Sequence, residues 1–497
     1  MNGRQRLGPT TIEQLPARVH RPGYTAEAAS VGVVHLGVGN FFRAHQAAYF
    51  DEALAAGATG WGVCGVSLRN PATRDALAPQ HGYYALVERD AAGDRARIVG
   101  SLRELLVAQE DPARVVERIA APGTRWVTLT VTEKGYGHVA GSVHPALDLA
   151  HEDIAHDLAN PRAPRSAVGL LHAGMRLRRQ RRLAPLTILS CDNLAGNGDL
   201  LRALVLQFDA ASGAGDAGWI EEQLRFPNTM VDRIVPRTGP AQRQFVADLL
   251  GSDDAWPVLT EPFRQWVIED DFAGPRPALE DSGVQIVADV RPYETMKLRL
   301  LNAAHSALAW LAMPAGIATV DGAVAQPALR GFIEAMWLRE ITPGLDPGLL
   351  GIAPGYCDSL MVRFANPALA HQTAQIAMDG SQKLPLRVLP SVRSNLLQGR
   401  PVRRLALVIA AWIGYLEGIA EDGSRFRPDD PLADRLQPLA RAGDSRRAAA
   451  AVLGERTIFG DLADNRVLLE QVAAALASLR ETGRIGAAQR LLASGDS

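Results

Sequence analysis

An amine, an amide and an imidazole stand close together between Pro292 and Met313, as Lys297, Asn302 and His305. In a regular helix Lys297 and His305 would lie about 80° apart, with Asn302 about 60° beyond His305, so the three share one broad face. The rest of the segment, with Leu298, Leu300, Leu301, Ala304, Leu308, Trp310 and Leu311, is apolar nearly all round. That pattern marks a helix buried inside a large protein. Polar groups held there lose hydration worth on the order of several kcal/mol unless they meet one another or a ligand. A lysine in such a place can exchange a proton with a hydroxyl. Spacing alone equally allows a lysine that reaches solvent and a histidine satisfied by a backbone carbonyl.

Glycines supply a second chemical signal. Ser30 to Gly39 is a β-branched apolar run ending in Gly37-Val38-Gly39, followed by Asn40, Phe41 and a helical pattern to Gly57. Strand, glycine turn and helix can bring backbone amides up to a pyrophosphate, although an ordinary strand-to-helix turn reads the same way. The third glycine of the dinucleotide fingerprint is replaced by Phe42, so the helix is expected to stand farther from the strand or to hold the phosphates differently. The next strand, Trp61 to Leu68, runs into Arg69 and not into the acid that usually holds the ribose hydroxyls. Arg69 suits the 2′-phosphate of NADP or plain solvent, so these residues leave NAD and NADP both open. Strands at Arg125 to Val131 and Leu186 to Ser190 end in polar loops carrying Glu133, Lys134, Asp192 and Asn193. In a parallel sheet these converge on one crevice; taken singly, Asp192 and Asn197 also fit turn and N-cap chemistry.

These elements must sit in a large soluble framework. With 497 residues, 47% of them hydrophobic, the chain exceeds a single core, and two domains are expected, residues 1–286 and 287–497. A net charge of -2 gives no electrostatic case for nucleic acid or an anionic membrane. The apolar run Leu405 to Leu416 is too short to span a bilayer and reads as a buried helix. Cys64, Cys191 and Cys357 are scattered, and the N-terminus lacks an apolar signal region, so a cytoplasmic protein is expected. Small polar ligands remain the natural partners. The segments Phe226 to Pro236 and Glu261 to Asp270 follow neither helix nor strand period. A prolyl break is expected at Pro327.

Taken in order, GVGNFFRAHQAAY (Gly37 to Tyr49), TVTEKGY (Thr130 to Tyr136), SCDNLAGNG (Ser190 to Gly198), FPNTMVDRIVP, EPFRQWVIED, YETMKLRLLNAAHS (Tyr293 to Ser306) and RFANPALAHQTAQIAMDGSQKLPLR (Arg363 to Arg387) resemble the long-chain mannitol dehydrogenase family. The likeness spans nearly the whole chain and is carried by the ordered set of motifs. It implies an α/β Rossmann-type N-terminal domain with a parallel sheet, a mainly helical C-terminal domain, and an active site between them without a catalytic metal. It implies further that Lys297 is the general base and that Asn193 and Asn302 stabilise the developing alkoxide. Asp232, His305 and Lys383 would bind substrate hydroxyls, and Glu133 and Glu294 would flank a proton path. Gly37, Gly39, Asn40, Phe41 and Arg69 would meet the cofactor, which the likeness makes NAD with NADP possible; separately, a monomer or weak homo-oligomer is expected.

The chemistry asks for those residue types. Taking a hydride from a secondary alcohol requires a base within about 3 Å of the hydroxyl, and burial lowers a lysine's pKa from about 10.4 towards neutrality. Two positions depart from the mannitol-oxidising members: Gln375 replaces an arginine, and Lys134 replaces a glycine. A lysine gained at the crevice suits a carboxylate, so fructuronate reduction to mannonate is the expected reaction, with mannitol oxidation to fructose as the alternative. A catalytically silent sugar or nucleotide sensor is the other class, though a sensor has no need of a buried base.

Overall fold

A computed structural model describes residues 4–139 and 144–494, and of residues 133 and 134 the backbone only. The chain forms two compact units, Met1–Arg291 and Pro292–Ser497.

The strands of the first unit are β1 (Val31–Leu36), β2 (Gly62–Ser67), β3 (Tyr84–Asp90), β4 (Gly93–Val99), β5 (Leu102–Val107), β6 (Trp126–Leu129), β7 (Thr187–Ser190), β8 (Thr229–Asp232), β9 (Val258–Thr260), β10 (Gln265–Glu269) and β11 (Gln285–Val287). Five of them form one parallel sheet in the order β5-β2-β1-β6-β7. The strand order reverses between β1 and β6, which is where a doubly wound sheet opens its ligand crevice. Helices cover the sheet, so β1 and β2 are buried along almost their full length and read as continuous apolar runs. Pro112–Ile119 and Ala167–Gln180 are two of these helices, the second capped by the Ser166 hydroxyl accepting from Gly169 N. Two small mixed sheets, β4-β3-β9 and β11-β10-β8, complete the unit. The segments without a clear period become short strands here, β8 and β10, paired antiparallel. Four and five residues are too few to show a period.

Among its described residues the second unit has helices and no strand. Its centre is Arg291–Lys297, a π-helical turn Leu298–Asn302, and Ala303–Ala312, which stops ahead of Pro314 as expected. Every residue from Ala303 to Ala312 is buried. Packed against it runs Arg403–Leu416, buried from Arg404 onward. Between these two helices Gly380 has no room for a side chain, since a Cβ would come within 2.1 Å of Trp412 Nε1. Pro327 begins the helix Pro327–Met336 and does not break one, because a first-turn proline gives up an N–H that has no partner anyway.

Candidate active site

The carboxyl edge of β1 is built around Gly37. Its φ is 100°, and a Cβ there would come within 2.1 Å of Thr130 O, so only glycine lets β1 and the chain beyond β6 approach this closely. Gly37 N donates to Val66 O (2.8 Å) and Gly39 N donates to Gly37 O (2.7 Å), which closes the turn before the helix Asn40–Ala44. The first amides of that short helix have no carbonyl within it to donate to. Phe42, in the third glycine's place, is fully buried and stacks on His35 with ring centroids 3.5 Å apart. An aromatic pair thus spaces helix from strand. Burial pushes His35 down to about 3, so the ring is neutral. Its Nε2 lies 3.1 Å from Gly37 O, a pure acceptor, so Nε2 carries the hydrogen and Nδ1 accepts from the Thr128 hydroxyl at 2.7 Å. Sequence reasoning passed over His35; a histidine inside an apolar strand was the available signal.

Asn40 accepts from Arg43 Nη2 at 2.5 Å, and Phe41 packs against the core and stacks on His45 with centroids 5.0 Å apart. Arg69 follows β2, is 73% exposed, and forms an ion pair with Asp153.

Glu133 and Lys134 lie where β6 gives way to a helical turn, but their side chains fall outside the described residues. The Asp192 side chain serves neither a cap nor the local turn, although its carbonyl accepts from Leu194 N at 2.9 Å. Its buried carboxylate accepts from Val131 N (2.9 Å), Thr132 N (2.9 Å) and the Tyr136 hydroxyl (2.7 Å), tying the loop after β6 to the loop after β7. Burial raises its pKa against the pull of those donors. Asn193, the next residue, is exposed.

Asn197 is not an N-cap either. Its side chain donates to Asp192 O (3.0 Å) and Thr229 O (3.0 Å) and accepts from Thr229 N (2.9 Å), which fastens the β7 loop to the start of β8. The cap of the helix Asn197–Ser212 comes from far along the chain, where Asn228 Oδ1 accepts from Gly198 N (2.9 Å) and Asp199 N (3.0 Å). Asp232, at the end of β8, is buried and pairs with Gln265 of β10.

In the second unit Glu294, Lys297, Asn302 and His305 lie on one helical run. Lys297 and His305 are each 7% exposed, and Glu294 is half-buried. The π turn between Lys297 and Asn302 means that the 100° spacing of a regular helix does not relate these residues; an irregularity of this kind often marks a functional site. Two side chains stabilise it by taking carbonyls that the wider turn exposes. Trp337 Nε1 donates to Leu300 O at 2.9 Å, and Arg387 Nη1 donates to Asn302 O at 3.5 Å and to Ser306 Oγ at 3.0 Å.

Asn302 Oδ1 and His305 Nε2 are buried without a hydrogen-bond partner among the described residues. Each such atom costs about 1–3 kcal/mol. Burial first, then the charges of His371, Arg363 and Arg387, hold His305 well below the usual histidine pKa, so it is neutral. Its ring packs against Phe364 at 4.6 Å and His371 at 5.3 Å. Lys383 donates to Met378 O (2.6 Å) and Ile376 O (3.2 Å), and burial lowers its pKa. Gln375 is exposed.

A third cluster, His172, Asp209 and Asp216, brings three potential metal ligands within 4.8 Å. His172 Nε2 and Asp209 share a 2.9 Å hydrogen bond, and Asp216 pairs with Arg176 at 2.9 Å and also with Arg179. The guanidiniums already supply the positive charge.

Residues 31–281 match the mannitol dehydrogenase Rossmann domain and residues 289–480 the mannitol dehydrogenase C-terminal domain. A mannitol 2-dehydrogenase of Cereibacter sphaeroides is 40% identical, with 96% of this chain and 99% of that protein covered. One from Pyrenophora tritici-repentis is 40% identical over 93% of this chain and 82% of its own length. Among solved structures, Pseudomonas fluorescens mannitol 2-dehydrogenase in ternary complex with NAD and D-mannitol is 36% identical with a TM-score of 0.84, covering 98% of this chain and 100% of that one. A substrate-free D-sorbitol dehydrogenase is 34% identical with a TM-score of 0.90, covering 97% and 99%. With both domain models matched in order and identities of this size over almost its full length, the chain belongs to the mannitol dehydrogenase family.

Proposed function

We propose that this protein interconverts D-mannitol and D-fructose with NAD, the reading that the named relatives favour over the fructuronate reaction expected from Gln375 and Lys134. Its class is that of an NAD-linked dehydrogenase of secondary alcohols. Bound NAD supplies the hydride acceptor. The glycine turn at Gly37 and Gly39, with Asn40 and Phe41 at the start of the following helix, would hold its pyrophosphate, and Arg69 beyond β2 would meet its ribose.

In this reading Lys297 takes the hydroxyl proton as the hydride leaves, and the amides of Asn193 and Asn302 stabilise the oxygen while it carries charge. Asp232, His305 and Lys383 orient the remaining hydroxyls. Glu133 and Glu294 pass the proton towards solvent. One observation carries the reading: among the described residues Asn302 Oδ1 and His305 Nε2 are buried without a hydrogen-bond partner, on the same helical run as a buried lysine. A polyol hydroxyl donates to exactly such acceptors, and no packing role requires them to be left open. Neutral His305 can accept at Nε2 only while unprotonated, which its depressed pKa secures.

The test is a panel of D-mannitol, D-sorbitol, D-fructose and D-fructuronate, each with NAD(H) and NADP(H), followed by nicotinamide absorbance. D-mannitol and D-fructose should show the highest kcat/KM. A clear preference for D-fructuronate would return the function to that substrate, and turnover of none would leave a binding protein.

A further inference from the structure

Thr132 has φ 67° and ψ 162°, a left-handed extended conformation that is populated almost only by glycine. A β-branched residue stays there only if its surroundings force it to. The force is visible: Thr132 N donates to Asp192 Oδ1 and Val131 N donates to Asp192 Oδ2, each at 2.9 Å. The carboxylate is itself fixed by the fully buried Tyr136, whose hydroxyl donates to Oδ2 at 2.7 Å and accepts from the Ser190 hydroxyl at 2.6 Å. Gly135 N donates back to Thr132 O at 3.0 Å, closing the turn. Asp192 therefore joins the exits of β6 and β7 through one side chain.

We propose that Asp192 is a positioning residue for the reaction: it clamps Thr132 in the strained conformation, which sets the course of the chain through residues 133–136 and the seat of the neighbouring Asn193. This rests on the reading that Asn193 donates to the substrate oxygen. Strain held at such a place is a means of preorganisation, because the loop cannot relax into its commoner conformations while the carboxylate holds both amides.

Asp192→Asn separates the alternatives. Whichever way the amide turns, one of its two ends can only donate, so either Val131 N or Thr132 N loses its acceptor. Expected is a fall in kcat of about 5- to 150-fold, the range that release of such a strained residue represents, with little change in the Kd for NAD. Amide hydrogen exchange at Val131 or Thr132 should accelerate. Thr132→Gly alone should stay close to wild type, and added to Asp192→Asn it should restore at least about fivefold of the lost kcat, since glycine adopts this conformation without strain. Tyr136→Phe, which keeps both backbone bonds, should hold kcat within about threefold.

Unchanged kcat in Asp192→Asn with only a lower Tm overturns the proposal, and so does a double variant no better than Asp192→Asn. Should Asp192→Asn fail to fold, a Thr132→Gly loss beyond about tenfold overturns it, because that variant keeps both the carboxylate clamp and a residue able to hold the conformation. Asn193→Ala is measured alongside. If that variant is fully active the donor role of Asn193 fails, while the rescue by Thr132→Gly still decides whether Asp192 positions the loop.

Discussion

Replacing His305 with leucine should lower activity without lowering stability. Among the described residues His305 Nε2 is buried without a partner, which costs about 1–3 kcal/mol, and the ring's packing on Phe364 can be largely kept by another apolar side chain. His305→Leu thus removes an unsatisfied atom and some ring contact together. The two nearly cancel. For a unit of this size about 1 kcal/mol moves Tm by roughly 2–4 °C, so the expected Tm is unchanged or raised by a few degrees. In the complex the same change leaves a substrate hydroxyl unpaired in a dry site, worth about 1–3 kcal/mol, or about 5- to 150-fold in kcat/KM. The assay pairs differential scanning calorimetry with initial rates on D-mannitol. A Tm fall beyond roughly 6 °C with kcat/KM intact would show that the imidazole is a core residue, refuting its assignment to substrate.

Lys297→Ala should reduce kcat by about 10² to 10⁴-fold while the Kd for NAD, titrated by fluorescence, stays near wild type, and retention of more than a tenth of wild-type turnover contradicts its role as base. With Arg69 where an acid would read the ribose, NAD and NADP should bind within about 100-fold of each other, and Arg69→Ala should weaken NADP more than NAD; a preference on the order of a thousandfold points to another residue. Stability should fall as pH drops below about 6.5, because His35 and His45 at about 3, and His305 well below its usual value, stay neutral when folded but gain a proton when unfolded, each contributing about 1.4 kcal/mol per pH unit there. Urea titrations at pH 7.5 and 5.5 check this, and a flat profile contradicts it.

Local order along the chain determined a good deal. The apolar runs at Val31–Leu36, Gly62–Ser67 and Thr187–Ser190 could only be strands buried on both faces, and strands that alternate with helices make a parallel sheet. The chemistry-bearing residues were legible because buried polar groups in apolar segments need a reason. Tertiary structure decided what those groups do. Asp192 and Asn197 look like turn residues in sequence, yet their partners Thr132 and Thr229 lie 60 and 32 residues away. The cap of Asn197–Ser212 comes from Asn228, beyond the reach of any local capping pattern. Asp232 belongs to a four-residue strand that exists only because β10 pairs with it. The π turn between Lys297 and His305 is held by Trp337 and Arg387, contacts that no helical periodicity contains. Periodicity reports which face of an element is buried; which distant atom satisfies a given donor or acceptor is settled only when the chain closes on itself.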